Sequence, residues 1–224
     1  MAYSRLNSLC PASKFPNPEM KNVLLLVAAL GLSAVAHAAP PANIGFETGD
    51  FTGWSVNGNA QVVSSYTTAA STTFTPTEGN FFALLEGGLG VGVPTTVSQT
   101  FSLNVGDVLS GTAGFFADDY YPFDDYGSAS LTIGLGNLSL FFSSVNAIGQ
   151  NNTTGWQTWS YTATQAGTYT LTYAAANNVD NSFNSHAFFD TKATVANVPE
   201  AGSTIAMFGA ALIGLIAFRR KFTA

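Results

Sequence analysis

Between residues 39 and 198 the chain alternates apolar and polar side chains with a period of two and shows almost no helical pattern. Val97, Phe101 and Leu103 alternate with serines and threonines, and Tyr169 and Leu171 alternate with threonines in the same way. Successive side chains of a strand point to opposite faces, so this pattern is typical of strands with one buried face. Further strands are predicted at 61–66, 81–86, 108–116, 128–133, 138–142, 156–163 and 187–195.

Glycine and asparagine clusters separate these segments, as in Asn57-Gly58-Asn59 and Gly87-Gly88. Such clusters favour tight turns because both residues tolerate a positive φ. Nine or ten short strands in about 160 residues are typical of two antiparallel sheets packed face to face. We therefore predict one all-β domain over residues 39–198, an antiparallel two-sheet sandwich of the jelly-roll type.

Charged residues make up only 9% of the chain, against about 25% in ordinary soluble proteins. Six of the seven cations lie near the two ends, so the stretch 39–198 has eleven acids against the single cation Lys192, a net charge of −10. Such a surface repels a phosphate backbone, which argues against nucleic-acid binding. The hydrophobic content of 46% is high enough for a core and excludes wholesale disorder.

The first 38 residues are typical of a secretory signal peptide. Lys21 precedes the uncharged, mostly apolar residues 23–36, and Ala36-His37-Ala38 forms an A-x-A cleavage site. We predict an N-terminal signal helix and cleavage by signal peptidase after Ala38. Because Met20 stands directly before Lys21, translation starts either at Met1, with a nineteen-residue leader, or at Met20.

Residues 201–218 carry no charge and are bounded by Glu200 and by Arg219, Arg220 and Lys221. A helix of that length is about 27 Å long, close to the hydrocarbon thickness of a bilayer. We predict a C-terminal transmembrane helix over 201–218 that anchors the protein in the inner membrane, with the basic cluster in the cytoplasm and the sandwich outside. The alternative is a helix buried in a protein core.

The order of these C-terminal features resembles the PEP-CTERM sorting signal of exosortase substrates. Val198-Pro199-Glu200 is followed by the apolar segment and the basic cluster, but Ala201 replaces the second proline of the family's Pro-Glu-Pro. The resemblance implies a sorting signal over residues 199–224 and exosortase cleavage near Pro199-Glu200. It further implies release to the cell surface or extracellular matrix of a bacterium that makes extracellular polysaccharide.

The start of the middle domain resembles jelly-roll carbohydrate-binding modules. Residues 43–54 and shorter pieces at 166–171 and 188–190 carry the similarity. In those modules a first-strand glutamate and a last-strand aspartate share a structural calcium ion, which implies a calcium site at Glu47 and Asp190. The alternative is that both are solvated or hydrogen-bonded turn residues. No other cofactor is expected.

Residues 118–127 form a predicted loop in which four aspartates are interleaved with four aromatic residues. Aromatic rings stack on sugar faces and carboxylates accept hydrogen bonds from sugar hydroxyls, so the loop is a candidate ligand-binding site. Its candidate residues are Asp118, Asp119, Tyr120, Tyr121, Asp124, Asp125 and Tyr126. The alternative is a long connection whose aromatic side chains tuck into the sandwich while its acids stay solvated.

Catalytic signatures are missing from the sequence. His186 is the only histidine left after signal cleavage, and neither a G-x-S-x-G elbow nor a cysteine nucleophile accompanies it. We therefore predict a non-enzymatic, exported cell-surface or matrix protein associated with extracellular polysaccharide. The alternatives are a small glycan-active hydrolase or lyase, whose two carboxylates need only lie about 5–10 Å apart in space, and a purely structural or adhesive surface protein.

Overall fold

The computed structural model of the protein describes residues 41–194 and residue 209. The predicted signal helix and the predicted transmembrane helix over 201–218 lie outside this range, apart from that single residue. Within residues 41–194 the elements are β1 (Ser55–Asn57), β2 (Asn59–Val63), β3 (Tyr66–Thr67), β4 (Thr73–Phe74), β5 (Phe82–Glu86), β6 (Thr95–Leu103), β7 (Val108–Phe116), β8 (Tyr126–Ile133), β9 (Gly136–Ser144), α1 (Val145–Ile148), β10 (Gln157–Thr162), β11 (Gly167–Ala176) and β12 (His186–Thr194).

Ten of these strands form two five-stranded sheets. Sheet A has the order β1-β6-β11-β8-β9, and sheet B has the order β10-β7-β12-β5-β2. Every neighbouring pair in both sheets is antiparallel. The prediction of an all-β, two-sheet antiparallel sandwich is therefore confirmed.

The core between the sheets is built from the residues that the alternation marks as buried. Val97, Leu103 and Leu171 are at most 3% exposed, whereas the threonines and serines between such positions face outward. Aromatic rings fill the centre, since Tyr173 stacks on Phe189 with ring centroids 4.2 Å apart. A buried aromatic side chain removes more apolar area from water than a buried aliphatic one. This burial stabilises a domain that has no disulfide cross-link.

A second apolar cluster lies on the outer face of sheet B. It is covered by the β3–β4 hairpin, which forms a small sheet of its own. Its buried members are Phe74, Phe82, Leu84, Phe116 and Phe188. Strands β5, β7 and β12 have apolar residues at successive positions and therefore bury both of their faces. This half of the outer face is consequently closed to ligands.

One end of the sandwich carries its longest ordered connections. Strands β7, β12 and β5 end or begin there together, because Phe116, His186 and Glu86 are in register. The four connections at this end, called the loop end below, are 87–94, 117–125, 145–156 and 177–185. No helix in the described part of the chain is long and apolar enough to cross a membrane.

Candidate functional site

The predicted ligand-binding loop lies at the loop end, between β7 and β8. Two hydrogen bonds tie it to α1: the Val145 amide donates to the Asp125 carbonyl oxygen (2.9 Å), and the Asn146 amide donates to Asp124 Oδ1 (2.8 Å). The loop is thus held at its C-terminal part, and the aromatic residues before it project from a supported backbone.

Two of the four aromatic side chains of this loop point outward. Tyr120 is 43% exposed and Tyr121 is 78% exposed. Phe183, which is 63% exposed, approaches Tyr120 from the β11–β12 connection with ring centroids 6.4 Å apart. Phe123 packs edge-on against Tyr120 at 5.1 Å and supports it. The loop end therefore presents an aromatic platform, defined here as Tyr120, Tyr121 and Phe183.

Two aspartates of the same loop are buried. Asp119 is 0% exposed and Asp125 is 1% exposed, whereas Asp118 and Asp124 are half-buried. The loop thus differs from the alternative arrangement, in which the aromatic rings would be inside and the acids outside, at two acids and at two tyrosines, Tyr120 and Tyr121. Tyr126 is also half-buried and stacks on Phe142 of β9 at 5.8 Å, away from the platform.

Neutral donors from another loop surround Asp125. Its Oδ2 accepts hydrogen bonds from the amide (3.3 Å) and the hydroxyl (2.9 Å) of Ser185, and its Oδ1 accepts one from the Asn178 amide (3.3 Å). Burial raises the pKa of Asp125 to about 6, and the charge of Asp119 adds to the rise while the Ser185 hydrogen bonds oppose it. Burial also raises the pKa of Asp119.

The two predicted calcium ligands both accept hydrogen bonds from the connection that follows β4. Asp190 Oδ2 accepts hydrogen bonds from the Thr77 amide (2.7 Å) and the Glu78 amide (3.0 Å). Glu47 lies in the turns before β1 rather than in a strand, and its Oε2 accepts a hydrogen bond from the Asn80 amide at 2.8 Å. The two side chains therefore converge on residues 77–81.

A glycine makes this convergence possible. A Cβ atom at Gly79 would lie 2.2 Å from the carboxylate carbon of Glu47, and Gly79 has a φ of +62°. The oxygen chemistry of Glu47 and Asp190 suits calcium. No three Asp, Glu, His or Cys side chains in the described part of the chain are close enough to share one ion, so the other ligands would be main-chain oxygens and water. The calcium ion at Glu47 and Asp190 stays a prediction.

A groove of about 320 Å³ on the outer face of sheet B was missed by the sequence reasoning. It lies beside the β3–β4 hairpin, and Lys192 closes one side through an ion pair with Glu78 (2.6 Å). Its hydroxyl-bearing lining residues include Thr77, Ser110, Thr112, Thr158 and Ser160. The period of two places Ser110, Thr112 and Asp190 on outward faces, but only the sheet order makes their strands neighbours.

His186 is a half-buried residue at the start of β12. Its Nε2 shares a hydrogen bond with the Tyr66 hydroxyl at 3.0 Å, and burial lowers its pKa. It therefore stays neutral near pH 7 and joins the β3–β4 hairpin to sheet B.

Residues 197–222 match the model of the VPDSG-CTERM motif. Val198-Pro199-Glu200 and the residues after it spell V-P-E-A-G where that motif has V-P-D-S-G, and the match extends over Arg219, Arg220 and Lys221. The predicted C-terminal sorting signal is confirmed. Ala201 departs from the Pro-Glu-Pro form of the signal, but the VPDSG form has no proline at that position. Such a motif indicates an exported surface protein.

Solved structures with a similar backbone include two carbohydrate-binding modules and one adhesin domain. TmCBM61, solved in complex with beta-1,4-galactotriose, is 16% identical, with 69% of this chain and 96% of that one covered and a TM-score of 0.46. The CBM22-1 xylan-binding domain of Xyn10C from Paenibacillus barcinonensis is 13% identical, with 68% of this chain and 92% of that one covered and a TM-score of 0.39. The K2 cleaved adhesin domain of Lys-gingipain is 12% identical, with 74% of this chain and 96% of that one covered and a TM-score of 0.38. No curated protein matches the chain in sequence.

Proposed function

We propose that the protein is an exported, non-enzymatic surface or matrix protein whose sandwich binds neutral extracellular polysaccharide through the aromatic platform. The exposure of Tyr120, Tyr121 and Phe183 at one end of a rigid sandwich carries this proposal. Large aromatic side chains exposed together are unfavourable in water unless they serve an interaction. Their flat faces suit the apolar faces of sugar rings, and the tyrosine hydroxyls can hydrogen-bond to sugar hydroxyls.

The charge around the platform favours a neutral polysaccharide over an acidic one. Asp118, Asp124 and Asp180 lie in the same two loops as the platform, and the only Lys or Arg in residues 41–194 is Lys192, which is paired with Glu78. A polymer of uronic or phosphorylated sugars would be repelled by this end of the protein. Hydroxyl groups, in contrast, can donate to the partly exposed carboxylates.

The buried state of the acid pair favours binding over cleavage. A glycan-active hydrolase needs two carboxyl groups that touch the scissile bond. Asp119 and Asp125 have raised pKa values, but both are closed off from solvent. A sugar on the platform would therefore meet aromatic rings and not these carboxyl groups.

In this proposal, the two terminal signals direct the export of the protein. Signal peptidase removes residues 1–38, the helix over 201–218 holds the protein in the inner membrane, and an exosortase cuts near Pro199-Glu200. The match of residues 197–222 to a sorting motif supports this sequence of events.

Binding is tested by affinity electrophoresis and calorimetry of the full-length protein with the producing bacterium's own polysaccharide and with neutral and uronic-acid polymers. Tyr121→Ala should weaken binding about tenfold, since one stacked ring is worth about 0.5–1.5 kcal/mol beyond its buried area. Tyr121→Phe keeps the ring and should retain most of the affinity.

Leu135→Ala is the matched control for that experiment. Leu135 is fully exposed, but it lies in the β8–β9 turn at the opposite end of the sandwich. The Leu135→Ala variant should bind the polysaccharide as tightly as the wild type does. Equal loss in Tyr121→Ala and Leu135→Ala, or tighter binding to the uronic-acid polymer, would contradict the proposal.

A further inference from the structure

Strand β9 is the outermost strand of sheet A, and no strand in the described part of the chain pairs with its free edge. It is nine residues long, whereas the other edge strands, β1, β10 and β2, have three, six and five residues. An edge strand presents a row of main-chain N–H and C=O groups that can hydrogen-bond to another strand. Charged residues and proline commonly protect such edges, and β9 contains neither.

One irregularity limits the part of β9 that can pair regularly. Leu140 has no partner in β8, because the register between the two strands shifts there by one residue. Such a bulge twists a strand and interrupts its ladder of hydrogen bonds. Residues 136–139 lie before the bulge and keep a regular register with β8. The regular part of the free edge is therefore centred near Leu138.

Leu138 is an apolar side chain at this edge with an apolar pocket beside it. It is 45% exposed, although it lies on the inner face of sheet A opposite the buried Leu131. The pocket has a volume of about 160 Å³, and its lining includes Ile133, Tyr161 and Tyr169. A cavity of about 150 Å³ holds a group the size of benzene. The edge thus offers both an exposed apolar side chain and a pocket that fits one.

Charge decides where two copies of this domain can approach each other. The stretch 39–198 has a net charge of −10, so most pairs of surfaces repel. The strands of sheet A contain no charged residue, and antiparallel pairing through β9 would point the two acid-rich loop ends in opposite directions. Charges more than about 8 Å apart are largely screened at physiological ionic strength. The β9 edge is therefore a place where a second copy meets little repulsion.

We propose that two copies of the protein associate through β9, in antiparallel register about a two-fold axis at Leu138. A two-fold contact uses the same surface on both copies, so an edge with both a side chain and a pocket is complementary to itself. Leu138 of one copy lies opposite Leu138 of the other, next to both pockets. Main-chain hydrogen bonds join the two copies of sheet A into one sheet of ten strands.

The dimer would present two aromatic platforms that face opposite directions, because the paired strands are antiparallel. One dimer could then bridge two polysaccharide chains and gain avidity from holding both. This consequence rests on the proposed function, whereas the dimer itself does not.

A cysteine at the two-fold axis tests the geometry. Residues directly opposite each other in an antiparallel pair have Cα atoms about 4.5–5.5 Å apart, a distance that suits a disulfide. In the full-length protein with Cys10→Ser, Leu138→Cys should give a disulfide-linked dimer on non-reducing gel electrophoresis after mild oxidation. Val105→Cys is the matched control, because Val105 is 59% exposed but lies in the β6–β7 turn. The control should stay monomeric under the same conditions.

Charge substitutions at the same position test the association without a cross-link. Sedimentation equilibrium of the full-length protein in a mild detergent should show a dimer for the wild type. Leu138→Lys and Leu138→Asp each place two like charges at the axis, so each variant alone should be monomeric. An equimolar mixture of the two should dimerise again, because opposite charges then face each other.

Circular dichroism of the single variants should match that of the wild type, since position 138 is half exposed. The predicted terminal helices are the same in all these proteins, so an association through them would not respond to the substitutions. A monomeric wild type, a dimer that persists in both charged variants, a mixture that stays monomeric, or equal cross-linking of Leu138→Cys and Val105→Cys would overturn the proposal. The samples contain no sugar, so these outcomes are independent of polysaccharide binding.

Discussion

Asp125 is one of the buried aspartates of the domain, and its surroundings differ from those of a surface aspartate. It is buried against Ser185, and its pKa is raised to about 6 from 3.8. Between these two pH values the folded protein keeps a proton that the unfolded chain has lost. The free energy of unfolding must therefore fall as the pH rises through this range.

We predict that stability in chelator decreases from pH 4 to pH 6, with Asp125 contributing up to about 1.4 kcal/mol per pH unit. Asp119 and Asp190 act in the same direction, since burial raises their pKa values too. Urea unfolding followed by tryptophan fluorescence at several pH values measures the slope. Asp125→Asn should flatten it and Asp124→Asn should not; equal slopes in the two variants would contradict the assignment to Asp125.

At the scale of elements, the β3–β4 hairpin matters most, because it converts an outer sheet face into a second core. Phe74 is 2% exposed and stacks on Phe188 of β12 with ring centroids 4.0 Å apart. Trp156 packs edge-on against Phe74 at 5.2 Å and donates its indole hydrogen to the Thr75 carbonyl oxygen. The hairpin is thus held by aromatic contacts rather than by its own two pairs of residues.

We predict that Phe74→Ala lowers the free energy of unfolding by about 3–5 kcal/mol, the usual cost of removing a buried phenylalanine. Phe142→Ala is the control, because Phe142 is 62% exposed on β9. Phe142→Ala should lower the free energy of unfolding by less than about 1 kcal/mol. Denaturant unfolding of both variants gives the comparison, and similar losses would mean that the hairpin does not seal a core.

For the molecule as a whole, the distribution of charge follows the architecture. No strand residue of sheet A is Asp, Glu, Lys or Arg, so its outer face is polar mainly through serine and threonine hydroxyls. Thr100 and Thr170 on neighbouring strands are hydrogen-bonded through their hydroxyls at 2.8 Å. The acids lie in the loops and on sheet B. The only charged residues in the strands of sheet B are Glu86, Asp190 and Lys192, so both sheets of the described domain have few charges.

We predict that removing residues 197–224 abolishes surface delivery and leaves the sandwich intact. The matched motif is lost, whereas every core residue lies before it. Cell fractionation and immunoblotting of the producing bacterium locate the truncated and the full chain. Circular dichroism of the truncated chain should show a β-rich spectrum, and surface delivery of the truncated chain would contradict the role of the motif.

Local patterns were enough to predict the long strands but not the short ones. The predicted strand 108–116 coincides with β7, and 81–86 differs from β5 by one residue. Strands β1, β3 and β4 were missed because they are two or three residues long and have no period of their own. They exist because distant partners pair with them, as Val97 of β6 does with Val56 of β1.

The candidate loop shows the same limit at the level of side chains. Its four aspartates and its tyrosines were singled out from the sequence, but not which of them are buried. Ser185, sixty residues further along the chain, decides that Asp125 points inward. Phe183 joins the platform through that same connection, and no local pattern marked it.

The sequence by itself determined the class of fold, the C-terminal sorting signal and the acidic character of the middle domain, and the N-terminal signal peptide stays a prediction. These follow from periodicity, composition and contiguous motifs, which are local properties of a chain. Only the tertiary structure decided which outer face is sealed, where the aromatic platform stands and which carboxylates are buried. Those depend on contacts between strands and loops far apart in sequence, and the burial that such contacts produce sets the energy of each charge.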